Sequence, residues 1–302
     1  IKETYPDMLM ISVCHSLIKM EHITNMGGPI TSNYFEQEIT FQYSDIVVLI
    51  SKAEKQHYIS FGYDKYEAIP HVIYNSYKPK LDTDPWRPNY ELNDIGYIGR
   101  HVPRKRPDLP IFAVEKSGRK DVRVFNMGVD YKGEQGNPFW EDLGRKHPKQ
   151  LVIIPFSSNR ETAHFYWKSI GANSITGIYE PFGYTMCETL DRRVPAIVQN
   201  IDGPSEITAN VQDSVFVYEV DQDFDKDVDN FLVATNNFWE THADDRKAMA
   251  EHARTALDDF RPEVIKLKWK EILLNAQPRK ITGLATDQKT QKTTKGYGGY
   301  GN

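Results

Sequence analysis

Residues 178–190 read Ile178-Tyr-Glu-Pro-Phe-Gly-Tyr-Thr-Met-Cys-Glu-Thr-Leu190, and the stretch runs on through Val194-Pro-Ala-Ile-Val198 to Asp202-Gly-Pro-Ser-Glu206. Residues 174–179 have strand composition, Pro-Phe-Gly makes a tight turn, and a helix is expected to open near Tyr184. Gly183 lets the backbone come close to a ligand, and the free N–H groups of a new helix point back into the turn. Such a junction attracts phosphate and sugar oxygens. Glu180 at the strand end and Glu188 about a turn into the helix can face one crevice at the carboxyl ends of parallel strands, where open α/β folds bind ligands. By spacing alone, the same residues also suit an ordinary strand-to-helix turn with a solvated Glu188.

Outward from this stretch, strand and helix patterns alternate. Upstream, residues 9–14, 46–50 and 68–74 are apolar runs of strand length, with helical patterns at 32–43 and 51–62 between them. The run 46–50 is apolar throughout, as in a parallel sheet covered on both faces. Ser51, with Glu54 three residues on, spells a capping box. Pro79, Pro85 and Pro88 among polar residues predict a linker. Beyond it, residues 95–98, 122–125, 151–155, 175–179, 196–199 and 215–218 are strand-like, most of them separated by helical patterns. The alternation predicts two doubly wound α/β domains, at 1–78 and 94–260, joined by the linker at 79–93. The acidic run 221–229 reads as a solvated loop or helix start. A last helix opens at Arg261-Pro262 and reaches about Asn275, with Leu267, Trp269, Ile272 and Leu273 as its apolar face. Residues 278–302 lack the apolar content to fold alone and are expected to be disordered.

A second constellation, Ile98-Gly-Arg-His-Val-Pro-Arg-Lys105, follows the first strand of the second domain. Arg100 offers a fork of donors and Lys105 a point charge, two cations that together suit a phosphate-bearing ligand. A basic surface loop has the same composition, since Arg104, Arg106 and Arg119 are close by in sequence.

Together these motifs resemble the family-4 (group 1) glycosyltransferases of the GT-B fold. Glu180-Pro-Phe-Gly…Glu188 matches the family's E-x7-E region, and Gly99-Arg100…Lys105 its G-R-x4-K pattern. Val194-Pro-Ala-Ile-Val and Asp202-Gly-Pro-Ser-Glu stand where the family has G-x-P-V-I-A and G-G-x-x-E. Ser44-Asp-Ile-Val-Val-Leu-Ile-Ser51 and Val72-Ile-Tyr-Asn75 are similar to segments of its first domain. Three departures stand out: Thr189-Leu-Asp-Arg-Arg193 replaces A-M-A-C-G, Asp202 replaces a glycine, and Arg106 follows Lys105 where the family has glycine.

The resemblance covers roughly residues 9–276 and implies a retaining transferase using a nucleotide-diphosphate sugar. It implies that the first Rossmann-like domain is incomplete at its front, and that 261–277 crosses back to brace it. Arg100 and Lys105 resemble the diphosphate ligands, Glu180 the carboxylate near the transferred sugar, and Glu188 the one holding the ribose hydroxyls. The backbone around Phe182, Gly183, Tyr184 and Thr185 corresponds to the part that receives sugar or phosphate oxygens, and Gly128 to a glycine near the donor. His15, at the end of the first strand, matches a family histidine lining the sugar site, and equally suits a polar loop start.

Composition sets the remaining bounds. The chain has 302 residues, 39% hydrophobic and 26% charged, with net charge −5. Nothing global therefore attracts nucleic acid, so DNA is a weaker expectation as acceptor than a glycan, lipid or protein. Cys14 and Cys187 make neither a disulfide framework nor a metal cluster, which predicts a cytoplasmic protein, membrane-peripheral at most. No run of 18 apolar residues predicts a membrane span. Arg100 and Lys105 stand in for a divalent ion, so no metal or other cofactor is expected. Two rival readings keep the donor site: a sugar-nucleotide epimerase or hydrolase, and a non-catalytic binding protein.

Overall fold

The computed structural model describes residues 7–24, 32–80, 88–129, 138–155 and 159–279, with Lys2, Thr4 and Tyr5. The middle of the expected linker (81–87) and the tail from 280 lie outside the described residues. In the first part of the chain, strand β1 (Ile11–Cys14) leads to helices α1 (Ile18–Thr24) and α2 (Ser32–Tyr43). Strand β2 (Ile46–Leu49), helix α3 (Lys52–Ser60) and strand β3 (Ile69–Val72) follow. The three strands form a parallel sheet in the order β1-β2-β3. The β2 run Ile46-Val-Val-Leu49 is buried on both faces, because helices lie above and below it. Leu17, Phe41 and Tyr58 from the α1, α2 and α3 region cover one face.

The second part alternates strand and helix more regularly. It comprises β4 (Ile95–Ile98), α4 (Leu109–Ser117), β5 (Val124–Val129), α5 (Pro138–Lys146), β6 (Leu151–Pro155) and α6 (Arg160–Ser169). After these come β7 (Ala172–Ile175), α7 (Tyr184–Asp191), β8 (Ala196–Gln199), α8 (Asp202–Thr208) and β9 (Phe216–Tyr218). Helices α9 (Phe224–Glu240), α10 (Ala243–Ala253) and α11 (Pro262–Asn275) close the chain. The six strands are parallel in the order β6-β5-β4-β7-β8-β9. Residues of α4, α5 and α9 pack on one face, and those of α6, α7 and α8 form the cores on the other. Strand order reverses between β4 and β7, so the loops leaving those two strands diverge and open a crevice at their carboxyl ends.

Several expectations are corrected here. The strand expected at 174–179 is Ala172–Ile175. Beyond Ile175 the chain pairs with a loop instead of a strand: Thr176 Oγ1 donates to the Lys105 carbonyl at 2.7 Å, and the Ile178 N–H to the Arg104 carbonyl at 2.8 Å. Glu180 therefore sits on a loop. The strand expected at 122–125 is displaced to Val124–Val129, because the Asp94 carboxylate holds the Arg123 N–H (2.7 Å) and guanidinium (2.7 Å) just before it. The acidic run 221–229 is only partly solvated: Asp223 caps α9, whereas Asp227 is buried in an ion pair with Arg106.

Helix α11 does run from Pro262 to Asn275, and Ile265 and Ile272 pack against Ile46, Val48 and Ile73 of the first sheet. Its expected apolar face is corrected, however. Leu267 and Leu273 are 67% and 59% exposed, because Ile265, Trp269 and Ile272 make the inward stripe. Truncating a buried aliphatic side chain costs transfer energy plus a cavity. Ile272→Ala is thus expected to lower stability by about 2–4 kcal/mol in urea titration, while Leu267→Ala stays within about 0.5 kcal/mol. Equal losses in the two variants would refute this placement of the helix.

Candidate active site

Two loops meet at the crevice. The one after β4 passes Gly99 and Arg100 and tightens into a 3-10 turn at Pro103–Lys105. Arg104 on that turn is buried. Its guanidinium donates to the Tyr179 carbonyl at 3.2 Å and to Glu21 Oε1 of α1 at 3.0 Å. With Arg104 pointing inward, Lys105 lies half-buried, and its ammonium pairs with Glu180. Burial pushes the Lys105 pKa down, and the Glu180 carboxylate opposes that shift. Arg100 is exposed on the same loop, and its carbonyl accepts from the Tyr97 hydroxyl at 3.0 Å. Gly128, on β5, lies directly against the Gly99 carbonyl, so no side chain fits there (a Cβ would come within 2.2 Å).

The loop after β7 turns at Pro181-Phe-Gly183 into α7. Gly183 supplies no side-chain cap, so the first-turn amides of Tyr184 and Thr185 face the crevice without one. The Phe182 ring is buried and packs edge-on against Phe260 and Tyr184, so it braces the turn from inside and does not line the crevice. Gly203 rests on the Phe182 backbone, where a Cβ would approach its carbonyl oxygen to 2.2 Å. Glu188 is half-buried on the second turn of α7. His15 is exposed just after β1 and shares with Tyr184 a cavity of ≈ 480 Å³, lined also by Tyr74, Asn75 and Trp269. The structure thus pairs Lys105 with Glu180, sets Gly128 beside the Arg100 turn, and places His15 across the cleft from Tyr184. Among the described residues, no three His, Cys, Asp or Glu side chains converge as a metal site would require.

Sequence reasoning missed the residues that join the two sheets. Helix α3 provides most of them. Ser51 Oγ accepts from the Glu54 N–H at 3.0 Å, as a capping box requires, but the Glu54 carboxylate does not return to Ser51. It is buried, and it accepts from the Tyr179 hydroxyl at 2.5 Å and from the Leu17 N–H at 3.2 Å. The Lys52 and Ala53 N–H groups donate to Glu206 of α8 at 2.9 and 2.7 Å, a carboxylate seated on a helix N-terminus. His57 Nε2 lies 3.0 Å from Asp202 Oδ1. The Glu in Asp202-Gly-Pro-Ser-Glu206 was one legible signal; the capping-box spelling marked Glu54 only as a local helix cap, and nothing marked His57.

Two parallel-sheet units facing one cleft, the larger wound outward from a central switch point, define an α/β protein of the GT-B glycosyltransferase fold. The chain belongs to the group 1 glycosyl transferases, a family matched over residues 82–255, more than half of its length. Solved structures share this fold at low identity. The chain is 15% identical to sucrose-phosphate synthase from Thermosynechococcus elongatus, covering 87% of this chain and 67% of that one, with a TM-score of 0.66. It is 16% identical to Anabaena HepE, solved with UDP-glucose, covering 89% and 72%, with a TM-score of 0.68. TarM is 17% identical, with 88% and 50% covered and a TM-score of 0.62. Among curated proteins nothing matches in sequence. The protein is a glycosyltransferase, and among the described residues no helix is long and apolar enough to cross a membrane.

Burial raises the Glu54 carboxyl from 4.5 to about 7. Its protonated form is favoured in the fold, so the native state loses stability as pH climbs from about 4.5 to about 7, by roughly 3 kcal/mol. The His57 pKa is raised, chiefly by its bond to Asp202. That contribution is present below the unfolded histidine value and is lost as pH rises through the folded one. Both titrations carry the same sign. Urea midpoints are expected to fall between pH 5 and pH 8, and Glu54→Gln, which keeps an oxygen for Tyr179, is expected to flatten most of the slope. A slope unchanged in that variant would remove Glu54 from the account.

Proposed function

We propose that the crevice between the β4 and β7 loops holds a nucleoside-diphosphate sugar, with Arg100 and Lys105 on the diphosphate and Glu180 beside the sugar. The observation that carries this is the Lys105–Glu180 pair beside the side-chain-free N-terminus of α7. In the free protein the two charges neutralise each other. A bound diphosphate takes over the ammonium, supported by Arg100 and the α7 amides, and leaves the Glu180 carboxylate beside the sugar. As the glycosidic bond breaks, negative charge grows on the departing phosphate, and cations already aimed there lower the barrier. Glu188, on the next turn of α7, serves the ribose hydroxyls.

Uridine is the base we favour, since HepE was solved with UDP-glucose and a TarM variant with UDP. Retention of anomeric configuration follows the family-4 reading. The acceptor approaches from the first sheet, past His15 and the cavity it shares with Tyr184. We assign no metal to the site, because Lys105 and Arg100, carried by one loop, can share the leaving group's charge. The unpaired cysteines, Cys14 and Cys187, support a reducing compartment such as the cytoplasm.

Calorimetric titration tests the donor site. Lys105→Ala is expected to weaken UDP binding about tenfold to a hundredfold, the worth of one charge-assisted contact of about 1.5–3 kcal/mol. Glu180→Gln should have the opposite effect on UDP, tightening it because Lys105 is released, while slowing sugar transfer. Unchanged UDP affinity in Lys105→Ala would sink the assignment. EDTA should leave transfer intact, and activity lost to EDTA and restored by Mn²⁺ would contradict the metal-free reading.

A further inference from the structure

Asp202 opens α8 with φ 47°, in the left-handed region that side chains rarely adopt. The resembling family has glycine at this position. The carboxylate that this conformation holds in place makes two contacts. Asp202 Oδ2 accepts from the Glu180 N–H at 3.1 Å, and Oδ1 lies 3.0 Å from His57 Nε2 of α3. The next residue completes the grip: the Gly203 N–H donates to the Glu180 carbonyl at 3.0 Å. Both backbone groups of Glu180 are therefore held by the 202–203 turn, and that turn is held by a histidine from the other sheet.

We propose that His57 and Asp202 are positioning residues, which fix the Glu180 carboxylate against the donor only when the first sheet is docked on the second. The proposal rests on Glu180 acting beside the sugar, as argued above. His57 is suited to the task because carboxylates face it from two elements, Asp202 on α8 and Glu54 on its own helix, with the Tyr179 ring edge-on at 6.0 Å. Both carboxylates favour the imidazolium, which raises its pKa. Tyr179, the residue before Glu180, is bound to Glu54, so α3 holds the loop directly at Tyr179 and, through Asp202, at Glu180. A glycine at 202 supplies the backbone shape but no link to His57. This chain therefore ties the geometry of one loop to domain contact through a side chain that the family pattern omits.

The test compares Asp202→Gly, which relieves the backbone, with His57→Ala, His57→Gln and the double variant. Each of the first two is expected to lower kcat about tenfold, with donor KM changed less than about threefold. The double variant should be no slower than the worse single one, because both break the same link. His57→Gln, which keeps a donor for Asp202, should restore most of the rate and lose the alkaline decline of the wild-type pH profile. Independently of turnover, hydrogen exchange at the Glu180 amide should quicken in Asp202→Gly and His57→Ala alike. Full kcat in both variants, strictly multiplicative losses, or unchanged exchange would overturn the proposal. Glu180→Gln separates the two claims: if it transfers sugar at the wild-type rate, the role of Glu180 is what fails. If it slows while Asp202→Gly and His57→Ala do not, the positioning claim fails.

Discussion

The first two turns of α3 hold the cleft together. Its N-terminal amides seat the Glu206 carboxylate, Glu54 on its first turn takes the Tyr179 hydroxyl, and His57 one turn later meets Asp202. A helix N-terminus carries partial positive charge, so an anion from the facing domain is a natural partner for it. The contacts alternate in chemistry: carboxylate to backbone, carboxyl to phenol, imidazole to carboxylate. Each orders a segment that belongs to the crevice on the other side. Without α3, Asp202 loses His57 and the Tyr179 hydroxyl loses Glu54, keeping from the first part of the chain only Ser16 and the Leu17 N–H.

Backbone conformation ties this chain to its family even where the residues differ. Among the described residues four non-glycine residues have positive φ, and three of them, Arg106, Arg193 and Asp202, stand where the family-4 pattern has glycine. Each such residue costs on the order of 1–3 kcal/mol in backbone strain. Each also makes a contact that glycine cannot. Arg106 donates to the Asp221 and Gln222 carbonyls and pairs with buried Asp227. Arg193 reaches Glu251 of α10 at 2.6 Å, and Asp202 reaches His57. Charged side chains have been traded for flexibility at three turns bordering α4, α7 and α8. In the same region Asp191, where the family has alanine, binds the Tyr77 hydroxyl, the Lys80 N–H and Arg254, fastening the start of the linker to the second domain.

Catalytic economy follows from these constraints. Lys105 and Glu180 form an ion pair in the free protein and are the two groups that the proposed reading assigns to the donor. A half-buried lysine with a depressed pKa is stabilised by its carboxylate until a stronger anion arrives. A diphosphate carries more charge and more acceptor oxygens than a single carboxylate. Under the proposed reading, exchange of partners at Lys105 couples donor arrival to release of Glu180, with no movement of the backbone required.

The sequence by itself determined the class of fold and the neighbourhood of the site. Period and composition decide which segments are buried strands, as at Ile46-Val-Val-Leu49, and which are helices, as at α2 and α11. Local backbone rules marked the Gly183 turn, and the motifs pointed to Arg100, Lys105 and Glu180 on loops and to Glu188 on the helix that follows. Only the tertiary structure decided where strands stop and which charges meet. Ile178 and Tyr179 are as apolar as a strand demands, yet they leave the sheet because the turn carrying Arg104 and Lys105 offers them backbone partners. Leu267 and Leu273 are as apolar as Ile272, yet only one side of α11 faces the first sheet. Glu54 and His57 are separated from Tyr179 and Asp202 by more than a hundred residues, and pairing at that distance leaves no period in the chain to read. Local propensity is a property of a segment; the partner of a buried carboxyl is a property of the whole fold.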